Sequence, residues 1–278
     1  MLKTLSLVLT DESRDAPALR AAAALARRED AHLGVTALGV EPWALEAMPM
    51  ASAQIVVESG RAEAQARAEA LALWARAELP SDLRASIEPL TVIGLGLAAA
   101  VAQRARFSDL CVAPRPYGAN RDPLGPAVPE ALLFGTGAPV LFVPDRDLDW
   151  SRPFRRIALA WNDGDEALAA ARAALPFLRR ADRVDIAIID PPPHAADRSD
   201  PGGDLSLWLA RQGVRAEIAV LSRSQPRIGD ILMRFAQDRG AEALVMGAYG
   251  HSRLREAVLG GATRDLLREV PLPLLMAR

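Results

Sequence analysis

The chain has 278 residues, half of them apolar, and a formal net charge of −2. That is enough material for one large domain or two of ordinary size, each able to bury a core. Positive and negative residues are interspersed, so neither a basic face for nucleic acid nor an acidic tail is present. Lys3 is the only lysine. A Walker A loop, a protein kinase and a pyridoxal enzyme each need a lysine at the chemistry, so all three are excluded.

In chain order, the first half opens with an apolar run, a polar turn, an Ala-rich segment and a second apolar run, "KTLSLVLTDESRDAPALRAAAALARREDAHLGVTAL". The opening residues are too short and too soon polar for a signal peptide, and no apolar run approaches membrane-spanning length. A cytoplasmic, membrane-free protein is expected. Next, "ESGRAEAQARAEALALWARAEL" carries Ala, Leu and Trp at helical spacing, which makes Trp74 a packing residue. "VIGLGLAAAV" imitates a dinucleotide fingerprint, but the acidic residue that should end the following strand is missing: Asp109 precedes its strand. "DLCVAP" places the single cysteine, Cys111, in a buried strand, where it has no partner for an internal disulfide. Prolines at 114, 116, 123, 126 and 129 follow, and the half closes on "APVLFVP".

"PDRDLDWSRP" has the charge and proline content of a linker, after which the pattern starts again. "RRIALAWNDGDEALAAARAALPFLRRADRVDIAIID" repeats the opening, "GDILMRFAQDRGAEALVMG" repeats "GLAAAVAQRARFSDLCVAP", and "LPLLMAR" repeats the closing run. The predicted strands are 156–161, 183–189, 214–221, 242–247 and 273–277, and the predicted helices 165–180, 203–212, 227–239 and 262–269. "DPPPHAADRSDPGGD" interrupts them as a loop. Apolar strands alternating with amphipathic helices imply crossover connections and a parallel sheet covered on both faces. The fold class is therefore α/β, two tandem three-layer α/β/α sandwiches, with domains at 1–146 and 154–278.

His32, His194 and His251 lack metal-ligand spacing, and no hydrolytic elbow, carboxylate pair or Cys–His arrangement is present. No catalytic or metal site is assigned. The informative stretch is "VMGAYGHSRLREAVLGGATRDLL". A predicted strand ends at Gly247, where the missing Cβ admits a ligand or a backbone, and Gly250 allows a second turn. At Gly260 and Gly261 a new helix starts, whose first N–H groups have no intrahelical partner and lie at the positive end of the helix dipole. Thr263 adds a hydroxyl, and His251, Arg253, Arg255 and Arg264 add positive charge. Backbone amides would hold a phosphate here without lysine.

This stretch resembles the Gly-x2-Gly-x9-Gly-Ser/Thr nucleotide motif of the universal stress proteins (UspA-like), and the repeat resembles their tandem form over nearly the whole chain. The resemblance implies, in each half, a five-stranded parallel sheet in the order 3-2-1-4-5, an adenine nucleotide alpha-hydrolase-like fold. It also implies ATP or another adenine nucleotide across strands one and four, with or without magnesium. Carried over, the site comprises Trp161, Asn162, Met246, Gly247, Gly250, His251, Gly260, Gly261, Ala262 and Thr263. Gly261 stands where the family has Ser or Thr, and Asn162 where it usually has aspartate. The prolines of the first half remove amide donors, so that half is expected to be degenerate and nucleotide-free. The implied role is a stress-response sensor or regulator, at most a weak ATPase, with an internal pseudo-dimer that leaves room for a homodimer and an unknown protein partner. The alternative is a nucleotide-free, stress-linked interaction scaffold whose two halves pair through their final strands.

Overall fold

The computed structural model describes residues 1–41, 50–117, 124–191, 200–248, 261–269 and 271–278. The chain forms two compact units. The N-terminal unit comprises Met1–Pro114 and Asn120–Ala138, the C-terminal unit Arg115–Ala119 and Pro139–Arg278.

The N-terminal unit contains β1 (Thr4–Leu9), α1 (Glu12–Glu29), β2 (His32–Glu41), α2 (Met50–Glu78), β3 (Ala85–Ile93), α3 (Leu97–Ala105), β4 (Leu110–Pro114) and α4 (Ala127–Gly135). Its strands lie in the order β3-β2-β1-β4, and every pair is parallel. Strand β1 is apolar almost throughout, and Leu5, Leu7 and Leu9 are fully buried, as expected of a central strand covered on both faces. Helix α1 starts because Asp11 caps it: the carboxylate accepts the Arg14 N–H at 3.0 Å. It stops at Asp30, which takes a left-handed conformation at φ 52°. Trp74 packs on α2 against Ala37, Leu71 and Ala72, the packing role its spacing predicted. The glycines of "VIGLGL" form a single 3-10 turn, Gly94–Gly96, with Leu95 exposed in its middle. Cys111 is fully buried in β4, where burial pushes its thiol up to about 12 against a hydrogen bond with Thr136. His32 is exposed, with Nε2 3.0 Å from Ser86 Oγ.

The C-terminal unit contains β5 (Val140–Val143), β6 (Arg156–Trp161), α5 (Asp165–Leu178), β7 (Arg183–Ile189), α6 (Gly203–Arg211), β8 (Ala216–Leu221), α7 (Ile228–Asp238), β9 (Ala243–Gly247), α8 (Gly261–Glu269) and β10 (Leu274–Ala277). Its sheet runs β5-β10-β9-β6-β7-β8. Counting from β6, the last five strands in sequence give the order 3-2-1-4-5, all parallel. Beyond them β5, the closing strand of the first sequence repeat, pairs antiparallel with β10, Phe142 opposite Leu274 and Val140 opposite Met276. Connections from β6 to β7 and β7 to β8 step one way across the sheet, and those after β8 and β9 step the other. The right-handed rule for such crossovers puts α5 and α6 on one face and α7 and α8 on the opposite one. In open α/β sheets generally, ligands bind at such a reversal, which here falls at the carboxyl ends of β6 and β9.

Among the described residues no helix is long and apolar enough to cross a membrane. Residues 192–199, which include His194, lie outside the described residues.

Candidate functional site

The site expected from sequence lies where β6 and β9 end. Trp161 closes β6 half-buried, and Asn162 follows it exposed. The Gly164 N–H donates to Asn162 Oδ1 at 3.2 Å, an Asx turn that leads into α5. Between them Asp163 sits at φ 58°, in the left-handed region that Asp and Asn tolerate best among side-chain-bearing residues. Asn162 thus spends its acceptor on the turn, as an aspartate could. What differs is the second atom, an amide donor in place of a carboxylate oxygen.

Gly247 closes β9. A Cβ built there would lie 2.6 Å from the carbonyl carbon of Glu166 and from the amide nitrogen of Ala167. The close approach that requires glycine is therefore made by the first turn of α5. Met246, one residue earlier, is buried in the sheet, and the N–H of Ala248 donates to the carbonyl of Ala277 at 2.9 Å. Gly250, His251 and Gly260 lie outside the described residues, as does the short helical excursion expected between His251 and Leu259.

Helix α8 begins at Gly261 and runs through Ala262. Thr263, in its first turn, is 3 % exposed. Next to it, Arg264 Nε is buried with no hydrogen-bond partner. A buried arginine N–H left without a partner at a helix N-terminus, next to a threonine, is a donor suited to an anion. Against it stand acidic side chains at the same end of the sheet: Asp163, then Asp165 and Glu166 in the first turn of α5, and Asp190 after β7. These favour the α5 dipole locally but oppose a polyanion. A phosphate chain would need its charge offset by Arg264 or by a bound cation. Among the described residues no group of three or more His, Cys, Asp or Glu side chains could hold a metal ion.

In the N-terminal unit β4 ends in Pro114, and α4 carries Pro126 at its N-cap and Pro129 in its first turn. Proline donates no amide, so this helix start offers fewer donors than that of α8. Residues 118–123 lie outside the described residues.

Residues 153–278 match the universal stress protein family. The C-terminal half is a universal stress protein domain. A stretch of 76 residues is 33% identical to a universal stress protein of Synechocystis sp. (strain ATCC 27184 / PCC 6803 / Kazusa). It covers 27% of this chain and 25% of that protein, so the shared stretch spans only about a quarter of the relative's length. Over the whole chain the fold is that of solved structures. A universal stress protein from Archaeoglobus fulgidus DSM 4304 superposes with a TM-score of 0.66 at 15% identity, covering 99% of this chain and 96% of that one. A functionally unknown protein from Pseudomonas aeruginosa PAO1 gives 0.59 at 16% identity, covering 99% and 92%. At these identities the likeness is one of fold. For the universal stress protein domain it accounts for the strand order β8-β7-β6-β9-β10, and in the N-terminal unit for β3-β2-β1-β4.

The sequence missed the Asx turn at Asn162 and the positive φ of Asp163. The signal available for both was the string Asn-Asp-Gly-Asp directly after an apolar strand, a dense cluster of turn residues.

Proposed function

We propose that the C-terminal unit binds an adenine nucleotide, with ATP as the reference ligand, and that the chain is a tandem universal stress protein acting as a sensor or regulator rather than as an enzyme. Family membership of residues 153–278 supports a stress-response role. The observation that carries the nucleotide reading is the first turn of α8. There the buried Arg264 Nε lacks a hydrogen-bond partner beside the buried Thr263, on the helix that follows β9 at the reversal of strand order. The phosphates would lie against the amides from Gly260 to Thr263, with Gly250 turning the chain and His251 beside it. The nucleoside would lie against Trp161, Asn162 and Met246. Magnesium, if it comes with the nucleotide, would be held by the phosphates themselves and offset their charge near the acidic turn. Among the described residues no general base is assigned at the phosphate end, and on this reading turnover would be slow at most.

Titration calorimetry with ATP tests this. Heat is expected from the wild type and none from a Gly250→Val, Gly260→Val double variant, while absence of heat from the wild type refutes the reading. A second reading, a nucleotide-free interaction scaffold working in the cytoplasm through a protein partner or a homodimer, draws on Gly247, whose missing side chain is explained by α5 alone. Nucleotide released from the denatured, purified protein and seen by mass spectrometry would count against the scaffold.

A further inference from the structure

The turn after β1 in the N-terminal unit is built around a side chain that the C-terminal unit lacks. Asp15, early in α1, is 1 % exposed. Its Oδ2 accepts the Thr10 N–H at 2.5 Å, the Asp11 N–H at 3.0 Å and the Thr10 hydroxyl at 3.3 Å. Its Oδ1 accepts Arg14 Nε at 3.3 Å. Arg14 also donates to the Thr10 hydroxyl oxygen, and Arg67 reaches over from α2 to donate to the Thr10 carbonyl at 3.1 Å. Two successive backbone amides, a hydroxyl and a guanidinium thus converge on one carboxylate. This is the donor set of a small oxyanion site, with the anion supplied by the chain itself.

The equivalent turn of the C-terminal unit has no such group. The strand ends Leu9 and Trp161 correspond, as do the helix caps Asp11 and Gly164, but the second turn carries one residue more. Asp15 therefore corresponds to Ala167 by strand register and to Leu168 by helix register, and neither bears a carboxylate. Among the described residues no carboxylate accepts from the amides of Asn162 or Asp163.

We propose that Asp15 is a resident anion, filling an oxyanion site at the turn after β1 whose counterpart in the C-terminal unit carries no carboxylate at the equivalent place. Two consequences follow. The turn after β1 takes no external anion in the wild-type chain. And deletion of the Asp15 side chain converts the turn into a receptor for a one-carbon carboxylate, because the amides of Thr10 and Asp11 and the guanidinium of Arg14 stay in place with the acceptor gone. Burial pushes the Asp15 carboxyl above the usual carboxylate range, against the hydrogen bonds from Thr10 and Asp11 and the charge of Arg14. The strength of the site lies in this preset geometry and not in exposed charge.

The test is thermal melting of full-length Asp15→Ala in sodium formate against sodium chloride at equal concentration. The variant should melt below the wild type, and formate should raise its midpoint by several degrees in a saturable way, with chloride far less effective and the wild type indifferent to the choice of salt. Equal effects of formate and chloride on the variant would overturn the proposal. Should Asp15→Ala fail to fold, amide spectra of the wild type and of Asp15→Asn decide. The Thr10 and Asp11 protons should be shifted far downfield in the wild type and untouched by added formate, and should move upfield in Asp15→Asn. Formate-induced shifts of those two amides in the wild type would mean an open site and would refute the assignment. None of these measurements involves the C-terminal unit, so their failure is separable from failure of the nucleotide reading.

Discussion

Replacing Gly247 by alanine separates two reasons for a glycine at the end of β9. The new Cβ would lie 2.6 Å from Glu166 C and Ala167 N and 2.9 Å from Glu166 O, where ordinary contact begins near 3.4 Å. Relief needs roughly 0.8 Å (3.4 − 2.6) of separation between strand and helix. All three neighbours are backbone, so no side chain can rotate away. Helix α5 has little slack either, because Ala167, Ala170, Ala171 and Ala174 are buried along it. Overpacking of a tight core costs ~1–3 kcal/mol, and a wholly backbone clash belongs in the upper part of that range, ~2–3 kcal/mol. At about 2–4 °C per kcal/mol for a chain of this size class, the melting midpoint of the nucleotide-free protein should fall by roughly 4–12 °C. Differential scanning calorimetry without nucleotide reads it directly. A midpoint unchanged within about 1 °C would refute the packing account and return Gly247 to the ligand.

Two further outcomes are expected. Asp11 accepts backbone and side-chain hydrogen bonds from Arg14 and Ser13, which hold its carboxyl below the ordinary 3.8. Its stabilisation is then present above the unfolded value and lost as pH falls through the lower folded value, so Asp11→Ala should cost ~1 kcal/mol near neutrality and progressively less in acid, as read by denaturant melts across pH; a pH-independent gap would exclude the cap. Removing β5 should expose an edge: a chain starting at residue 153 leaves β10 without its antiparallel neighbour, whereas one starting at residue 139 keeps it. Denaturant melts should find the longer chain the more stable of the two, and equal midpoints would mean that β5 adds nothing to this sheet.

Most of the fold was legible because its elements announce themselves locally. Strands such as Ile157–Leu159 and Leu244–Met246 are continuous apolar runs, and α7 turns Ile231, Leu232, Phe235 and Ala236 to the core at helical spacing. The pairing of β5 with β10 was legible only through the repeat, as halves pairing through their final strands. "VLFV" reads as a strand that closes the first repeat, yet its pairing with β10 is a choice between sheets that no local pattern encodes. Asp15 was hidden for a different reason. An acidic residue near the start of a helix is what the dipole favours on any surface, and only the geometry places this one inward, on the amides of its own turn. Gly247 was half legible: the need for a glycine could be read, but its neighbour could not.

That last point changes how the glycine motif bears on function. If α5 alone demands Gly247, its presence says nothing about phosphate, and any loss of binding in Gly247→Ala would be confounded by displacement of α5 and of the Asn162–Gly164 turn attached to it. The inference to a nucleotide then rests on Gly250 and Gly260 and on the unsatisfied Nε donor of Arg264, none of which the packing of β9 against α5 explains. Binding lost in Gly250→Val, Gly260→Val at an unchanged nucleotide-free melting midpoint would implicate the loop itself. Binding lost together with stability would not, and Gly247→Ala supplies the reference for what that confounded result looks like.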